Sequence, residues 1–393
     1  MLKYNSKEIL DYVIKCRRYL HTIPELGLDL PKTREFVINE LDNFKNIKYT
    51  KNKKDSGIIA FINGKKKDNK DNKKIIALRA DMDALPIKED TDFEYKSCSN
   101  NMHACGHDAH TAILLGACKI LNDNADEFSG TVRFLFQTGE EIGKGAKIMI
   151  EENALKDVNA IFAVHIGSFV PDTPNGVFII QEGPIMASTD KIIIKIKGKG
   201  THGAYPQAGI DPIIMSAEII NGLQSIITRE IESSETVILS LCKISGGSAF
   251  NIIPDTVEIE GTIRTFNNDV RDFFIKRIKE KSKLIANSML GECEIDIIEY
   301  ACTTLNDAEI TNNIKNTAET IFSKEAVWNK YYKPSMGGED FSYYLREVKG
   351  CFALFSTITE KNIPNHNSKF EINEEKLNMP SELMANWAFD FLK

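Results

Sequence analysis

Three short apolar segments, separated by helical patterns, constrain the fold of this 393-residue chain more than any other feature. They span residues 74–79, 131–137 and 160–165, and each is as short and continuously apolar as a strand buried on both faces. Helical spacing of apolar residues follows the first two segments, over residues 111–121 and 145–152. This alternation predicts an α/β fold, in which helices sandwich a mixed, mostly parallel sheet.

The pattern changes near residue 184, where a second arrangement of elements begins. Residues 184–302 contain, in order, a strand, a long helix, two strands, a second helix and a final strand. This β-α-β-β-α-β order is typical of a ferredoxin-like α+β domain. We therefore predict an inserted domain at 184–302, which interrupts a discontinuous domain built from residues 1–183 and 303–393.

Side chains that can bind metal lie at the ends of the three central strands. Asp81 and Asp83 follow the first strand, Glu140 and Glu141 follow the second, and His165 ends the third. Because open α/β sheets hold their active sites at the carboxyl ends of the strands, we expect these groups to converge. Packing alone does not explain why three apolar strands end in this way.

Residues 102–110, with the sequence MHACGHDAH, hold three of the seven histidines together with a cysteine and an aspartate. Thiolate and imidazole groups suit zinc and other late divalent metals. Cys105 and His107 are two residues apart and can face one metal from a tight turn. The alternative interpretation of this cluster is a buried structural turn with incidental histidines.

Other polar residues allow both a functional and a structural interpretation. Adjacent Glu140 and Glu141 suit a division of labour, in which one carboxylate binds metal and the other acts as a general base. A solvated acidic turn is the alternative for this pair. Arg264 can clamp a carboxylate or form a structural salt bridge, and the glycine-flanked His202 can approach a ligand or lie in a surface turn.

Composition argues against several classes of protein. The net charge is −7 and no basic patch dominates, which argues against nucleic acid as a partner. No stretch reaches the roughly 18 apolar residues of a membrane span, and the first residues do not resemble a signal peptide. Eight scattered cysteines do not form a disulfide framework, so we expect free thiols and a cytoplasmic location.

Taken together, the motifs are similar to those of a known family. The chain resembles the co-catalytic metallopeptidase-like amidohydrolases, which include hippurate hydrolase, bacterial aminoacylases, N-acetyldiaminopimelate deacetylase and the plant indoleacetyl-amino acid hydrolases. The similar stretches follow the family order and include RRYLHTIPELG at 17–27, RADMDALP at 79–86, MHACGHDAHTA at 102–112, the pair at 140–141, THGAYPQAGIDP at 201–212, NIIPDTVEIEGTIRTF at 251–266 and GGEDF at 337–341.

The resemblance implies a catalytic domain with two divalent metal ions and an inserted lid domain that often forms a homodimer. Zinc or manganese is expected, and cobalt or nickel also fits. The implied metal ligands are Cys105, His107, Glu141, His165 and His366. The implied catalytic residues are Glu140 as general base, Asp83 as support for the metal site and His202 as the lid histidine that polarises the scissile carbonyl, from the same or the partner subunit. The implied substrate-binding residues are Asn251, Arg264 and Gly338.

The resemblance also implies a reaction. We expect hydrolysis of the amide bond of an N-acyl-L-amino acid, of the N-acetyl or aroyl type, which releases a carboxylate and the free amino acid. Three alternatives stay open: a dipeptidase or carboxypeptidase with the same two-metal site, an N-acetyldiaminopimelate deacetylase, and a catalytically silent metal-dependent binding protein. The acyl group, the amino acid and the physiological metal are left open at this stage.

Overall fold

The computed structural model of the chain describes residues 2–66, 74–170 and 173–393. The helices are α1 (Ser6–His21), α2 (Pro31–Asp42), α3 (His107–Asp123), α4 (Gly145–Glu151), α5 (Pro212–Arg229), α6 (Asn268–Ser288), α7 (Ala308–Ile321), α8 (Ser342–Glu347) and α9 (Asn378–Phe391). The strands are β1 (Ile47–Lys51), β2 (Ile58–Asn63), β3 (Ile75–Asp81), β4 (Thr131–Gln137), β5 (Ala160–Gly167), β6 (Phe178–Ile179), β7 (Gly183–Met186), β8 (Thr189–Lys197), β9 (Thr201–His202), β10 (Val237–Gly246), β11 (Ile252–Ile253), β12 (Thr256–Thr265), β13 (Glu292–Ala301), β14 (Thr304–Asn306) and β15 (Gly350–Ser356).

The chain divides into two compact units. The first unit contains Met1–Ile185, Leu305–Lys333 and Asp340–Lys393, and the second contains Met186–Thr304 and Pro334–Glu339. Residues 334–339, which include Gly338, belong to the second unit, whereas the sequence prediction placed them in the discontinuous first domain. The reason is local pairing within the second unit, since the N–H of Ala187 donates to the carbonyl of Ser335.

Among the described residues, the first unit is built on a seven-stranded sheet with the order β1-β2-β4-β3-β5-β15-β6. The four central strands, β4, β3, β5 and β15, are parallel. The outer strands pair in the antiparallel direction at both edges. The predicted mixed, mostly parallel α/β sheet is therefore confirmed. The edge strand β1 and the last helix α9 were not predicted from the sequence.

Helix α3 is the central helix of the first unit. It packs against α1 and α9 and against strands β3 and β5. Its side chains are buried on nearly all sides, as expected for a helix that is apolar around most of its circumference. The sequence pattern predicted that this helix begins at residue 111, but it begins at His107. The first turn was missed because polar residues occupy it.

The second unit has a four-stranded antiparallel sheet with the order β10-β12-β8-β13. Its alternate residues Ile192, Ile194 and Ile196 are buried, together with apolar residues of α5 and α6. The order of strands and helices is that of the predicted ferredoxin-like insert, which is confirmed. Among the described residues, no helix combines the length and the apolar content that crossing a bilayer requires.

Candidate metal centre

Five side chains of the first unit converge at the carboxyl ends of its parallel strands. Cys105 lies just before α3, His107 is the first residue of α3, and His165 lies in β5. Glu141 follows β4, and His366 lies in the loop that follows β15. His165 does not end its strand as predicted, because β5 continues to Gly167.

Two candidate metal-binding groups share the side chain of Cys105. Its Sγ lies 3.5 Å from His165 Nε2 and 3.3 Å from His366 Nε2. Glu141 Oε1 lies 3.5 Å from His366 Nε2 and 3.9 Å from His107 Nε2. The ligand atoms therefore form two groups, Cys105–His107–His165 and Cys105–Glu141–His366, within each of which all atoms lie within 4.8 Å of one another.

The residues fit divalent metal ions. Both ring nitrogens of His107, and Glu141 Oε1, are buried and have no hydrogen-bond partner among the described residues. Such unpaired buried groups destabilise a fold by about 1–3 kcal/mol each, and a metal ion would engage them. Burial raises the pKa of the Cys105 thiol and of the Glu141 carboxyl, and a bound cation would stabilise the ionised form of both groups. Sulfur, nitrogen and oxygen ligands of this kind suit zinc and its neighbours.

Hydrogen bonds assign the tautomer of His165. Its Nδ1–H donates to the carbonyl of Ile166 at 2.9 Å, which leaves Nε2 unprotonated and facing Cys105. Burial holds the pKa of His165 well below its ordinary value, so the ring is neutral. A neutral imidazole with a fixed orientation is the form that binds a metal ion.

His110 has a different task from the other histidines of the cluster. Its Nε2 accepts from the N–H of Ile166 at 2.9 Å, and its Nδ1–H donates to Asp81 Oδ1 at 2.6 Å. Both nitrogens are occupied, so His110 orients its neighbours and is not a ligand. Burial alone would raise the pKa of Asp81, but Arg79, His107 and His110 hold it well below its ordinary value.

Asp83 fastens the glutamate pair to the end of β3. Its Oδ1 accepts from the N–H of Glu140 at 3.0 Å, and its Oδ2 accepts from the N–H of Glu141 at 3.1 Å. The same Oδ1 lies 3.6 Å from His107 Nδ1. The pair lies between Gly139 and Gly143, which both adopt the left-handed conformation with φ of 63°. Asp83 therefore fixes the pair and faces the ring of His107.

The loop of His366 is attached to the cysteine segment. The N–H of His366 donates to the carbonyl of Ala104 at 2.7 Å, and Asn365 Nδ2 donates to the carbonyl of Cys105 at 3.1 Å. His366 has a φ of 66°, an uncommon conformation for a residue with a side chain. Its imidazole is 54% exposed, so the group Cys105–Glu141–His366 is exposed to solvent on the side of His366.

The predicted residues of the inserted domain lie in the second unit. His202 is exposed in β9, and its Nδ1 accepts from the N–H of Ala204 at 3.1 Å, so its Nε2 carries the proton. Asn251 lies in the exposed turn before β11, and its carbonyl accepts from the N–H of Gly203 at 2.8 Å. Arg264, in β12, donates to the carbonyl of Met336 at 3.2 Å.

Gly338 lies close to β8 within the second unit. A Cβ at this position would lie 2.3 Å from Thr189 Oγ1 and 2.9 Å from Thr189 Cβ. A larger residue at this position would require Thr189 to move, so packing favours glycine here. The predicted contact of Gly338 with substrate remains a prediction.

A buried polar network behind α3 was not predicted. Asp108 Oδ2 accepts from Arg17 Nε at 2.9 Å and lies 2.8 Å from His21 Nδ1. His21 Nε2 lies 3.2 Å from Glu89 Oε1. Burial alone would raise the pKa of Asp108, but Arg17 and His21 hold it below its ordinary value. Arg17 and His21 belong to the stretch RRYLHTIPELG at 17–27, which was the only sequence feature that could have indicated this network.

His103 lies beside this network and is not a ligand. Its ring lies 6.4 Å from that of His21, and burial lowers the pKa of His103 to about 3. The ring is therefore neutral and buried, and it belongs to none of the candidate metal groups of the described residues.

Arg17→Met is expected to destabilise the fold strongly. The Arg17 side chain is 2% exposed and Asp108 is 1% exposed, so the substitution removes the guanidinium that pairs with a buried carboxylate. Loss of one member of a buried ion pair lowers the free energy of unfolding by about 3–5 kcal/mol. Urea unfolding monitored by circular dichroism measures this change.

Arg18→Met is the matched control. Arg18 is 50% exposed, and both Arg17 and Arg18 form ion pairs with Glu374. An exposed pair contributes about 0–1 kcal/mol, so the urea midpoint should hardly change. Equal midpoints for both variants would contradict a stabilising role of the network at the start of α3.

Comparison with known proteins adds independent observations. The model of the family described as peptidase family M20/M25/M40 matches residues 77–388. Thermostable carboxypeptidase 1 of Saccharolobus solfataricus is 37% identical over 401 residues, which cover 99% of this chain and 98% of that protein. N-acetyl-L-cysteine deacetylase of Bacillus subtilis is 38% identical over 354 residues, or 90% of this chain and 82% of the relative. IAA-amino acid hydrolase ILR1-like 2 of Arabidopsis thaliana is 34% identical over 397 residues, with 99% and 87% covered.

Solved structures show the same similarity over the whole chain. The crystal structure of a protein from methicillin resistant Staphylococcus aureus aligns with this chain with a TM-score of 0.92 at 31% identity. The alignment covers 99% of this chain and 98% of that protein's chain. The crystal structure of Bacillus subtilis YXEP protein, described as a dinuclear metal binding peptidase from the M20 family, aligns with a TM-score of 0.82 at 34% identity. The coverage is 98% of this chain and 99% of the YXEP chain.

Proposed function

Because the chain belongs to peptidase family M20/M25/M40 and is a metal-dependent hydrolase of amide bonds, we propose that its substrates are N-acyl amino acids. The products are a carboxylic acid and the free amino acid. The observation that carries this proposal is that Cys105 belongs to two groups of imidazole and carboxylate side chains, each within 4.8 Å, and that Glu140 lies beside them. Relatives named N-acetyl-L-cysteine deacetylase and IAA-amino acid hydrolase support the same type of bond.

Two divalent ions are proposed to bind to the two groups that share Cys105. Zinc or manganese is expected, and cobalt or nickel is possible. The ligands are those expected from the sequence: Cys105, His107, Glu141, His165 and His366. When bound, such ions supply Lewis acidity that polarises the amide carbonyl and makes water more acidic.

Glu140 is proposed as the general base. It takes a proton from the attacking water and returns that proton to the nitrogen of the leaving amino group. Asp83 supports this role because it binds the backbone N–H groups of the glutamate pair and so holds the backbone from which both carboxylates extend. Glu141 then binds metal while Glu140 handles the proton.

The second unit is proposed to contribute to substrate binding. His202 has its proton on Nε2 and is an exposed residue, which suits a hydrogen bond from this N–H to the scissile carbonyl. The guanidinium of Arg264 donates to the carbonyls of Ile263 and Met336 and is proposed, with Asn251, to bind the substrate's carboxylate. Gly338 is proposed to lie near the substrate as well.

His202→Ala should lower kcat/KM by about 10²- to 10³-fold, the usual effect of removing one hydrogen bond to a developing oxyanion. Because His202 is exposed in the chain, the bound metal and the melting temperature should not change. Steady-state kinetics, metal analysis and thermal unfolding of the same preparation test all three statements. A kcat/KM equal to that of the wild type would exclude this role.

A carboxypeptidase activity is the second candidate, favoured by the 37% identity to thermostable carboxypeptidase 1. Purified chain loaded with Mn²⁺ or Zn²⁺ is offered N-acetyl amino acids and dipeptides with the same C-terminal residue. Faster turnover of the acetyl compounds supports the proposal, and faster turnover of the dipeptides supports the peptidase. If neither class is cut, a metal-dependent binding protein without catalysis becomes the better description.

A homodimer is proposed through the second unit. Strand β10 is an edge strand of its sheet, and Ile244 in this strand is 56% exposed. Exposed edge strands with apolar side chains commonly pair with another chain. Sedimentation equilibrium decides between a mass near 44.2 kDa and twice that value.

A reducing cytoplasmic location is proposed from the cysteines. The part of the chain that the structure describes includes all eight cysteines, and none forms a disulfide. Fractionation of the source cells with an antibody against the chain tests this proposal.

A further inference from the structure

Arg79 joins two buried carboxylates in the first unit. From β3, its guanidinium donates to Asp81 Oδ2 at 2.7 Å, to Gln137 Oε1 at 2.9 Å and to Asp340 Oδ1 at 2.8 Å. The Arg79 side chain is 2% exposed, and the two carboxylates are 0% and 1% exposed. A guanidinium presents its N–H donors in a rigid planar fork, so these three contacts fix its position.

Asp340 is held on several sides. Gln137 Nε2 donates to both of its carboxylate oxygens at 2.8 Å, and the N–H of Ala146 donates to Oδ2 at 3.0 Å. Tyr344 in turn donates to Gln137 Oε1 at 2.9 Å. Because these groups are buried, any other arrangement would leave a charge or a donor unpaired. These contacts hold the Asp340 carboxylate in place, and they thereby position the backbone N–H of the same residue.

The backbone N–H of Asp340 contacts the glutamate that we assign as the base. The N–H of Asp340 donates to Glu140 Oε1 at 3.4 Å, and the N–H of Glu140 donates to Asp83 Oδ1 at 3.0 Å. We propose that Arg79 and Asp340 are positioning residues that orient the Glu140 carboxylate for proton transfer. This proposal rests on the assignment of Glu140 as general base.

The other contact of Arg79 leads to the metal ligands. Asp81 Oδ1 lies 2.6 Å from His110 Nδ1, and Asp81 Oδ2 lies 3.7 Å from His107 Nε2. One guanidinium thus links the carboxylate beside His107 with the loop beside Glu140. Replacing Arg79 should disturb both sides, whereas replacing the Asp340 carboxylate should disturb only the side of the base.

Asp340→Asn and Arg79→Lys test the proposal in the full chain loaded with Mn²⁺ or Zn²⁺. Asp340→Asn keeps the backbone N–H but brings an amide N–H₂ against donors, and Arg79→Lys removes the fork. We expect kcat to fall about 10²-fold in both variants, since a shift of about 1 Å in a reacting group has that effect. For Asp340→Asn, KM should stay within about threefold and the bound metal should not change. Crystal structures of the loaded variants should show the Glu140 carboxylate displaced.

Arg133→Met is the matched control, because Arg133 lies on the neighbouring strand β4 and binds the carbonyls of Asn153 and Ala154, away from the site. It should keep the wild-type kcat and the wild-type position of Glu140. An unmoved Glu140 in Asp340→Asn, or a wild-type kcat in that variant, would overturn the proposal. If Arg79→Lys does not fold, Asp340→Asn alone decides. If the wild type cuts no amide, the proposed function fails, and the position of Glu140 in the crystal structures still decides whether Arg79 and Asp340 hold it.

Discussion

Glu140→Gln is expected to keep its metal ions and its fold while turnover falls by about 10²- to 10⁴-fold, the usual contribution of a general base. Glutamine has the shape of glutamate, so its side-chain oxygen can still accept from the N–H of Asp340, which lies 3.4 Å away. An amide cannot take up a proton at neutral pH, which is why only the chemical step should suffer. Steady-state kinetics with an N-acetyl amino acid and metal analysis by emission spectroscopy measure the two quantities.

The metal content of this variant decides between two assignments of the glutamate pair. Glu140 lies within 4.8 Å of His107 and Glu141 and could serve as a ligand on distance alone. Loss of metal from Glu140→Gln would show that it is a ligand and that the roles are reversed. Glu141→Gln should lose metal as well as turnover. Glu151→Gln, which changes an exposed glutamate of α4, should behave like the wild type.

Cys105→Ala is expected to weaken the binding of both metal ions at once and to lower turnover by at least about 10³-fold, since metal ions supply several kcal/mol of transition-state stabilisation. Both candidate groups contain Cys105, so removal of Sγ leaves each with two ligands. A chelator should have the same effect on the wild type, and added Mn²⁺ or Zn²⁺ should restore activity in the wild type only. Isothermal titration of each protein with the metal gives the number of sites and their affinities.

Cys118→Ala is the control for this variant, because Cys118 is a fully buried cysteine of α3, the helix that begins after Cys105, and belongs to neither group. It should keep both metal ions and wild-type kinetics, although loss of buried apolar volume lowers its stability somewhat. Retention of two tightly bound ions by Cys105→Ala would contradict the shared position of the thiol.

The sequence was sufficient to predict the α/β sheet and its ferredoxin-like insert. Both follow from local patterns, because a strand buried on two faces must be apolar along its length and a helix must repeat its apolar residues every three or four positions. The same local rules failed at the start of α3, where the first helical turn is polar, and at His165, where β5 continues past the histidine. Strand β1 and helix α9 were not predicted, because their sequences lack a distinctive pattern of apolar residues.

The sequence alone indicated candidate metal ligands, namely the cysteine, histidine and glutamate side chains at strand ends and in the MHACGHDAH stretch. Only the tertiary structure brought together partners that are far apart in the chain. Arg79 meets Asp340 and Cys105 meets His366, each pair separated by 261 residues. The structure also distinguished His110, whose nitrogens are both occupied, from His165, whose Nε2 faces the thiol. The physical reason is that a side chain's role depends on which hydrogen-bond partners surround it, and in a buried site those partners come from other strands and loops.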